Sequence, residues 1–331
     1  MSTYRLEKLF SPQSVAVLGA SPRPGSLGLS VLHNIVAAGF KGRIDVVSPK
    51  HPRIENFDTV RRIADLSEVP DLVVLATPPD SIPVLIDEAG AKGAAAAIII
   101  TAGLGHGPGS LADAADRAAR KHGLRLIGPN CLGVILPHAG LNASFAARMP
   151  NRGDLALVSQ SGAVVAGMVE WAARRAIGFS AAVSLGDMVD VDFGDTLDYF
   201  ATDRTTRAIL LYVESIRDAR KFMSAARAAA RVKPVVVVKS GRHASAAKAA
   251  ATHTGALAGS DAVYDAAFRR AGLLRVYDLN ELFDAAQTLG MVRPFPGERL
   301  TILTNGGGVG VLAVDRLIDL DGALAALSDE T

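Results

Sequence analysis

One histidine stands in a setting suited to group transfer. His253 follows the small-residue run AAKAAAT and precedes Thr254 and Gly255. Ser260-Asp261, a cap-like pair, then opens an amphipathic segment whose spacing predicts a helix to Arg270. Glycine lets a backbone turn tightly, and a helix start presents free N–H groups to an anion, so an imidazole here could carry a phosphoryl group. Taken alone, the segment reads first as a surface loop whose histidine has no role. Ser159-Gln160-Ser161-Gly162 joins the apolar run LALVSQ to a helical segment, and its hydroxyls and successive N–H groups form an anion nest or a simple N-cap at Ser161. Glu214 ends the run AILLYVE, where it is either a surface carboxylate or the partner of one imidazole nitrogen, leaving the other free as nucleophile. Lys239 and Arg242, in VVVVKSGRH, could neutralise phosphate charge.

A second group of residues follows the first apolar run. Gly19, Ser21, Pro24, Gly25 and Gly28 occupy the turn into the first helix, where a backbone can approach a phosphate closely. The spacing is not GxGxxG. Lys50 follows the second run at the place where a nicotinamide-dinucleotide site usually carries an acid, and a lysine suits an extra phosphate such as the 3′-phosphate of CoA. Pro78 and Pro79, after the third run, could wall an adenine or a pantetheine arm. GPNCLG (128–133) reads equally as structural turns or as part of the site. The acidic run SLGDMVDVDFGD reads as a solvated turn before a cation site. The histidines at 33, 51, 106, 122, 138 and 243 show no metal spacing.

Positioning these residues requires strand ends. The runs VAVLGA (15–20), IDVVS (44–48), DLVVLAT (71–77), AAAIII (95–100) and LRLIG (124–128) alternate with helix-period segments such as LSVLHNIVAAG, which predicts a doubly wound, Rossmann-like α/β domain over residues 1–150. The pattern restarts with LALVSQ (155–160), FSAAVSL (179–185), AILLYVE (208–214), PVVVVK (234–239) and LLRVY (273–277), so residues 151–292 form a second α/β domain. RPFPGE (293–298) is a linker by its prolines. Residues 298–331 supply one strand, a GGGVG turn and one helix. That is the incomplete start of a third α/β domain, since one such pair buries no core of its own, and the chain is expected to be cut from a longer protein.

Composition fits this plan. The 331 residues are 49% hydrophobic and 21% charged, ample for buried cores, and only 5% aromatic. Lys+Arg 35 against Asp+Glu 33 gives +2, with no block of like charge, so neither nucleic acid nor a membrane is expected as partner. A single cysteine, Cys131, excludes an intrachain disulfide and, with no signal-like start in MSTYRLEKLF, points to the cytoplasm.

The ordered motifs VAVLGAS, ITAGLG, GPNCLG, VSQSGA, SLGDMVDVDFGDTL, LYVES, VVVVKSGR and HTGALAGSD cover nearly the whole chain. In this order they resemble the α subunit, or corresponding N-terminal region, of ADP-forming acyl-CoA synthetases, the acetate–CoA ligase group related to succinyl-CoA synthetase. The resemblance implies a CoA-binding first domain and a flavodoxin-like ligase second domain. It implies His253 as the phosphorylated residue, Glu214 as its stabilising carboxylate, and Ser159, Gln160, Ser161, Gly162, Thr254 and Gly255 as phosphate ligands. The implied reaction is reversible: acyl-CoA, ADP and phosphate give a carboxylic acid, CoA and ATP through an acyl phosphate and a phosphohistidine. ATP or ADP with Mg²⁺ would then bind an ATP-grasp module, on a partner subunit or on further C-terminal domains, and an oligomer is expected. The competing readings are the ligase-like regulatory region of a protein lysine acetyltransferase, a non-catalytic CoA-binding module, and a dinucleotide oxidoreductase. Lys50 and the glycine spacing disfavour the last.

Overall fold

A computed structural model describes residues 3–243, 260–291 and 297–328; His253, Thr254 and Gly255 lie outside them. The chain divides into two compact units, Met1–Met291 and Val292–Thr331.

The first half of the larger unit is built on one sheet. A short helix, α1 (Leu6–Phe10), leads into β1 (Ser14–Leu18), α2 (Leu27–Ala37) and β2 (Arg43–Val47). A two-strand excursion follows, β3 (Arg53–Ile54) and β4 (Phe57–Val60), and then β5 (Leu72–Leu75), α3 (Ile82–Lys92), β6 (Ala96–Ile99), α4 (Leu111–His122) and β7 (Arg125–Ile127). The sheet order is β3-β4-β2-β1-β5-β6-β7, parallel except between β3 and β4. Every residue of β1, β5 and β6 is buried, as strands covered by helices on both faces must be, and their sequences are continuous apolar runs for that reason. The strand order reverses between β1 and β5, which opens a crevice at their carboxyl ends.

The second sheet recruits two strands from before residue 150. β8 (Gly133–Leu136) and β9 (Leu141–Ser144) precede β10 (Asn151–Ser159), α5 (Gly162–Ala173), β11 (Gly178–Ser184), α6 (Phe193–Thr202), β12 (Ala208–Val213), α7 (Ala219–Ala230) and β13 (Val235–Lys239). After the undescribed stretch come α8 (Asp261–Ala271), β14 (Leu274–Val276) and α9 (Leu279–Met291). The order is β14-β13-β12-β10-β11-β8-β9, with β8 antiparallel to β11 and to β9 and the others parallel. Here the reversal falls between β10 and β12. α8 begins where the spacing placed it, but Ser260 makes no side-chain cap bond; Asp261 and Asp265 instead hold Arg275 at 2.5 and 3.1 Å.

One buried cluster joins the two halves, running from Leu9 and Val15 through Val134 and Leu136 to Val183, Phe200 and Phe222. Phe10 packs on Tyr199 and Phe200 at ring separations of 4.6 and 5.0 Å, tying α1 to α6. The smaller unit consists of parallel β15 (Arg299–Leu300) and β16 (Ala323–Leu324) joined by α10 (Gly307–Asp319). No described helix is long and apolar enough to cross a membrane.

Candidate active site

Reversal between β10 and β12 brings Ser159–Gly162 and Glu214 side by side although they are more than fifty residues apart in sequence. Gln160 fixes the pair. Its Oε1 accepts from the N–H groups of Glu214 at 2.7 Å and Ser215 at 2.8 Å, while its Nε2 donates to Ser215 Oγ at 3.1 Å. Gln160 is only 8% exposed, so these bonds are made largely away from water. Ser161 caps α5, its Oγ accepting from Val164 N at 3.4 Å, and it also faces the site. Of the two roles raised by the sequence, the N-cap is made, and the same residue lines the cavity. Ser159 does not face the site: it is fully buried, donates from Oγ to Ser161 O at 2.8 Å and accepts from Ser161 N at 3.0 Å. Its hydroxyl shapes the turn and is not placed as a phosphate ligand.

The opposite wall comes from the first sheet. Asn130 N donates to Thr101 O beyond β6 (3.0 Å), and Asn130 Nδ2 donates to Asp187 Oδ1 beyond β11 (3.2 Å). Asp187 N donates to Pro129 O at 2.9 Å, and Leu132 N to Ser184 Oγ at 3.0 Å. Gly186 lies between them at φ +57°, where a Cβ would stand 2.2 Å from Pro129 O. Only glycine allows that approach. GPNCLG is thus both a structural turn and part of the wall. Between the walls lies a cavity of about 530 Å³, reached by Thr101, Asn130, Gln160, Ser161, Asp187 and Glu214. A neighbouring cavity of about 410 Å³ shares Gln160 and Asp187 and adds His106, Ser215 and Arg217.

Lys239, at the end of β13, is 2% exposed. Burial holds its amine below the usual lysine range, opposed by the carboxylates of Asp261 and Glu214. Its Nζ donates to Ser240 O and lies 4.6 Å from the centre of the Tyr264 ring. Arg242 stacks 5.2 Å from the Tyr277 ring. The acidic run is not a solvated turn. Asp192 and Asp195 form a capping box at the start of α6, and Arg125 binds Asp190 at 2.8 Å and Asp195 at 3.4 Å. Lys221 reaches Asp192 at 3.0 Å and also pairs with Asp195. Burial raises the Asp195 carboxyl despite the opposing pull of Lys221.

The glycine-rich group lies at the carboxyl ends of three neighbouring strands. Gly19, Ser21, Pro24, Gly25 and Gly28 join β1 to α2, Lys50 follows β2, and Pro78 and Pro79 follow β5. Gly28 abuts β1: a Cβ there would stand 2.3 Å from Gly19 C. Ser21 Oγ accepts from Arg23 N at 3.2 Å, and Ser26 caps α2. Lys50 is exposed. Leu27, the first residue of α2, reaches the 530 Å³ cavity, so the two strand-end crevices adjoin. Sequence reasoning passed over Leu27 and Phe145 as site residues. Thr101 and Ala102, directly after a buried strand, carried a strand-end signal that could have found them.

Residues 13–137 match the CoA binding domain family, and residues 152–289 match the succinyl-CoA ligase like flavodoxin domain family. The α subunit of acetate–CoA ligase [ADP-forming] I from Pyrococcus furiosus is 41% identical over 94% of this chain and 69% of its own length. The chain belongs to the ADP-forming acetate–CoA ligase family. Acetate–CoA ligase [ADP-forming] I of Archaeoglobus fulgidus is 40% identical over 98% of this chain but 47% of its own, so the chain spans about half of such longer family members. Among solved structures of the family, acetyl-coenzyme A synthetase 1 of Ca. Korarchaeum cryptofilum, in complex with phosphate and ADP, superposes with a TM-score of 0.92 at 35% identity, covering 99% of this chain and 71% of that one.

Proposed function

We propose that this chain is the CoA-binding and phosphohistidine-bearing part of an ADP-forming acyl-CoA ligase. The observation that carries the reading is the 530 Å³ cavity, which sets the α5 N-terminus and Glu214 against the strand ends of a CoA-type domain. In this reading residues 1–150 bind CoA, residues 151–292 carry the histidine, and residues 298–331 begin a further ligase domain. Gly19, Ser21, Pro24, Gly25 and Gly28 approach the CoA phosphates, Lys50 meets the 3′-phosphate, and Pro78 and Pro79 flank the adenine or pantetheine.

Phosphate attacks the thioester carbonyl. The C–S bond breaks, CoA leaves as the thiolate and takes a proton, and an acyl phosphate forms. N–H groups at the α5 start, with Ser161, stabilise charge on the transferring phosphoryl group. His253 attacks phosphorus, releasing the carboxylate, with Glu214 accepting a hydrogen bond from its other ring nitrogen; Thr254 and Gly255 contribute phosphate donors. The phosphohistidine then gives its phosphoryl group to ADP, with Mg²⁺, on an ATP-grasp portion or partner subunit. A cytoplasmic location fits a chain whose single cysteine is buried and free.

The test is to incubate the complete protein, with its nucleotide-binding portion, with ATP and Mg²⁺ and to assay acid-labile phosphate. Labelling is expected at His253, abolished in H253A and reduced in E214Q with CoA affinity unchanged. Undiminished labelling in H253A overturns the mechanism.

A further inference from the structure

The seam between the two halves of the larger unit is a paired sheet edge. β7 is the last strand of the first sheet, so one of its sides has no strand beside it. The segment that follows β11 covers that side. Leu126 O accepts from Val191 N at 3.1 Å, Gly128 O from Val189 N at 3.1 Å, and Pro129 O from Asp187 N at 2.9 Å. Chain from the second half thus closes an edge of the first. The inner end of this strap is the cavity wall, where Asn130 Nδ2 meets Asp187 Oδ1 at 3.2 Å. Gly186 and Met188 lie there at φ +57° and +53°. A turn with a side-chain-bearing residue in the left-handed region keeps its shape only where its flanks are fixed.

Arg125 fixes the outer flank. It opens β7 and is 8% exposed. Its Nε donates to Asp190 Oδ2 at 2.8 Å and its Nη2 to Asp190 Oδ1 at 3.2 Å, a forked pair that resists rotation. Asp190 Oδ2 also accepts from Leu126 N at 2.9 Å, which completes the pairing along the strap. Nη2 reaches Asp195 at 3.4 Å, and Nη1 donates to Tyr4 O at 3.0 Å. Arg125 does not line the 530 Å³ cavity. Yet at most about 18 Å of chain separates it from Asn130, which does. Resting on the ligase reading, we infer that Arg125 is a positioning residue: it sets the register of residues 187–191 against 126–130 and so aligns the CoA half with the phosphate half. Only steps that use both halves need this alignment. Attack of phosphate on the thioester brings CoA on the first half to the phosphate site of the second. Transfer from ATP to His253 uses the second half and the nucleotide-binding portion.

The complete protein can be labelled at His253 by two routes, γ-labelled ATP with Mg²⁺, and acetyl-CoA with radiolabelled inorganic phosphate. R125M is expected to lose at least about tenfold in rate by the acetyl-CoA route, since small misplacements of reacting groups are costly. By the ATP route it should stay within about twofold, with CoA affinity by calorimetry also within about twofold. R125K, which keeps the charge without the fork, should fall between R125M and the wild type. D190N keeps an oxygen for Leu126 N but loses the charge, so it should show the same split at smaller size and serves if R125M misfolds. A cavity of about 600 Å³ beside Arg125 and Asp190 lets water reach the side chain left behind. A purely structural role would lower stability in urea and affect both routes alike. Equal loss by the two routes, no loss by the acetyl-CoA route, or a wild type labelled by ATP alone overturns the inference and leaves the phosphohistidine standing. Absence of labelling by either route in the wild type overturns the ligase reading and this inference with it.

Discussion

Replacing Gln160 by leucine tests whether one amide holds Glu214, the carboxylate proposed to be catalytic, in place. The side chain is 8% exposed, and its Oε1 is the acceptor for two backbone donors, Glu214 N at 2.7 Å and Ser215 N at 2.8 Å. A buried donor left without an acceptor costs about 1–3 kcal/mol, so two cost about 2–6 kcal/mol if nothing relaxes. The adjoining cavities let water reach part of the turn, which brings the expected loss in Q160L to roughly 2–3 kcal/mol. Q160E keeps an acceptor for both N–H groups and loses only the donor to Ser215 Oγ, whose hydroxyl can turn to donate instead. Its expected stability cost is about 1 kcal/mol. It also sets a second carboxylate beside Glu214, and like charges push a carboxyl pKa upward. Urea unfolding of the complete protein measures stability, CoA calorimetry tests the first sheet, and phosphohistidine formation across pH tests the site. Q160L should lose more than about tenfold in phosphohistidine formation with CoA affinity within about threefold. Q160E should retain activity at neutral pH but move the acid limb of its profile upward by about one pH unit. A fold-only role would lower stability in Q160L and leave the Q160E profile where it is in the wild type. Unchanged phosphohistidine formation in Q160L, or an unmoved acid limb in Q160E, refutes the positioning role.

Two further perturbations separate the halves of the site. In G28A the new Cβ meets Gly19 C at 2.3 Å and Ala20 N at 2.5 Å, forcing α2 away from β1; CoA affinity should fall at least about tenfold while ATP-driven labelling of His253 persists, and unaltered CoA affinity would remove the β1–α2 turn from the CoA site. Burial pushes the Cys131 thiol from 9.0 up to about 12. At pH 8 that cuts the reactive thiolate by about a thousandfold, since the pH lies below both values and each unit is a factor of ten. The folded protein should therefore resist iodoacetamide at pH 8 and react only when urea exposes the thiol; rapid labelling of the native protein would contradict the burial.

Legibility followed the range of the interactions. β1, β5, β6, β12 and β13 were readable because a strand covered on both faces is apolar at nearly every position, a property of the strand itself. The helix α6 was not readable, because the acids before it look solvated until their partners are known. Arg125 lies 65 residues from Asp190, and Lys221 lies 26 from Asp195. β8 and β9 are four residues each, and their place in the second sheet rests on antiparallel pairing of β8 with β11, as between Ile135 and Ala182, and of β9 with β8. Ser159 and Ser161 are alike in sequence, yet one hydroxyl closes a turn and the other caps a helix at the cavity.

Glu214 shows where local reasoning stops and topology takes over. Its position at a strand end was visible, and strand ends are where ligands gather in parallel sheets. Nothing local says which strand end lies next to it. β10 connects through α5 to β11 on one side, and the chain then crosses to place β12 on the other, so the residues after β10 and after β12 become neighbours. Gln160 records that crossing chemically, because its amide satisfies backbone groups that no intrastrand bond could reach. The same crossing leaves a gap at the reversal point, and Asn130 and Asp187 close its far side. Glu214 is thus held by the path of the chain, and substitutions that alter this crossing should reach it without touching it.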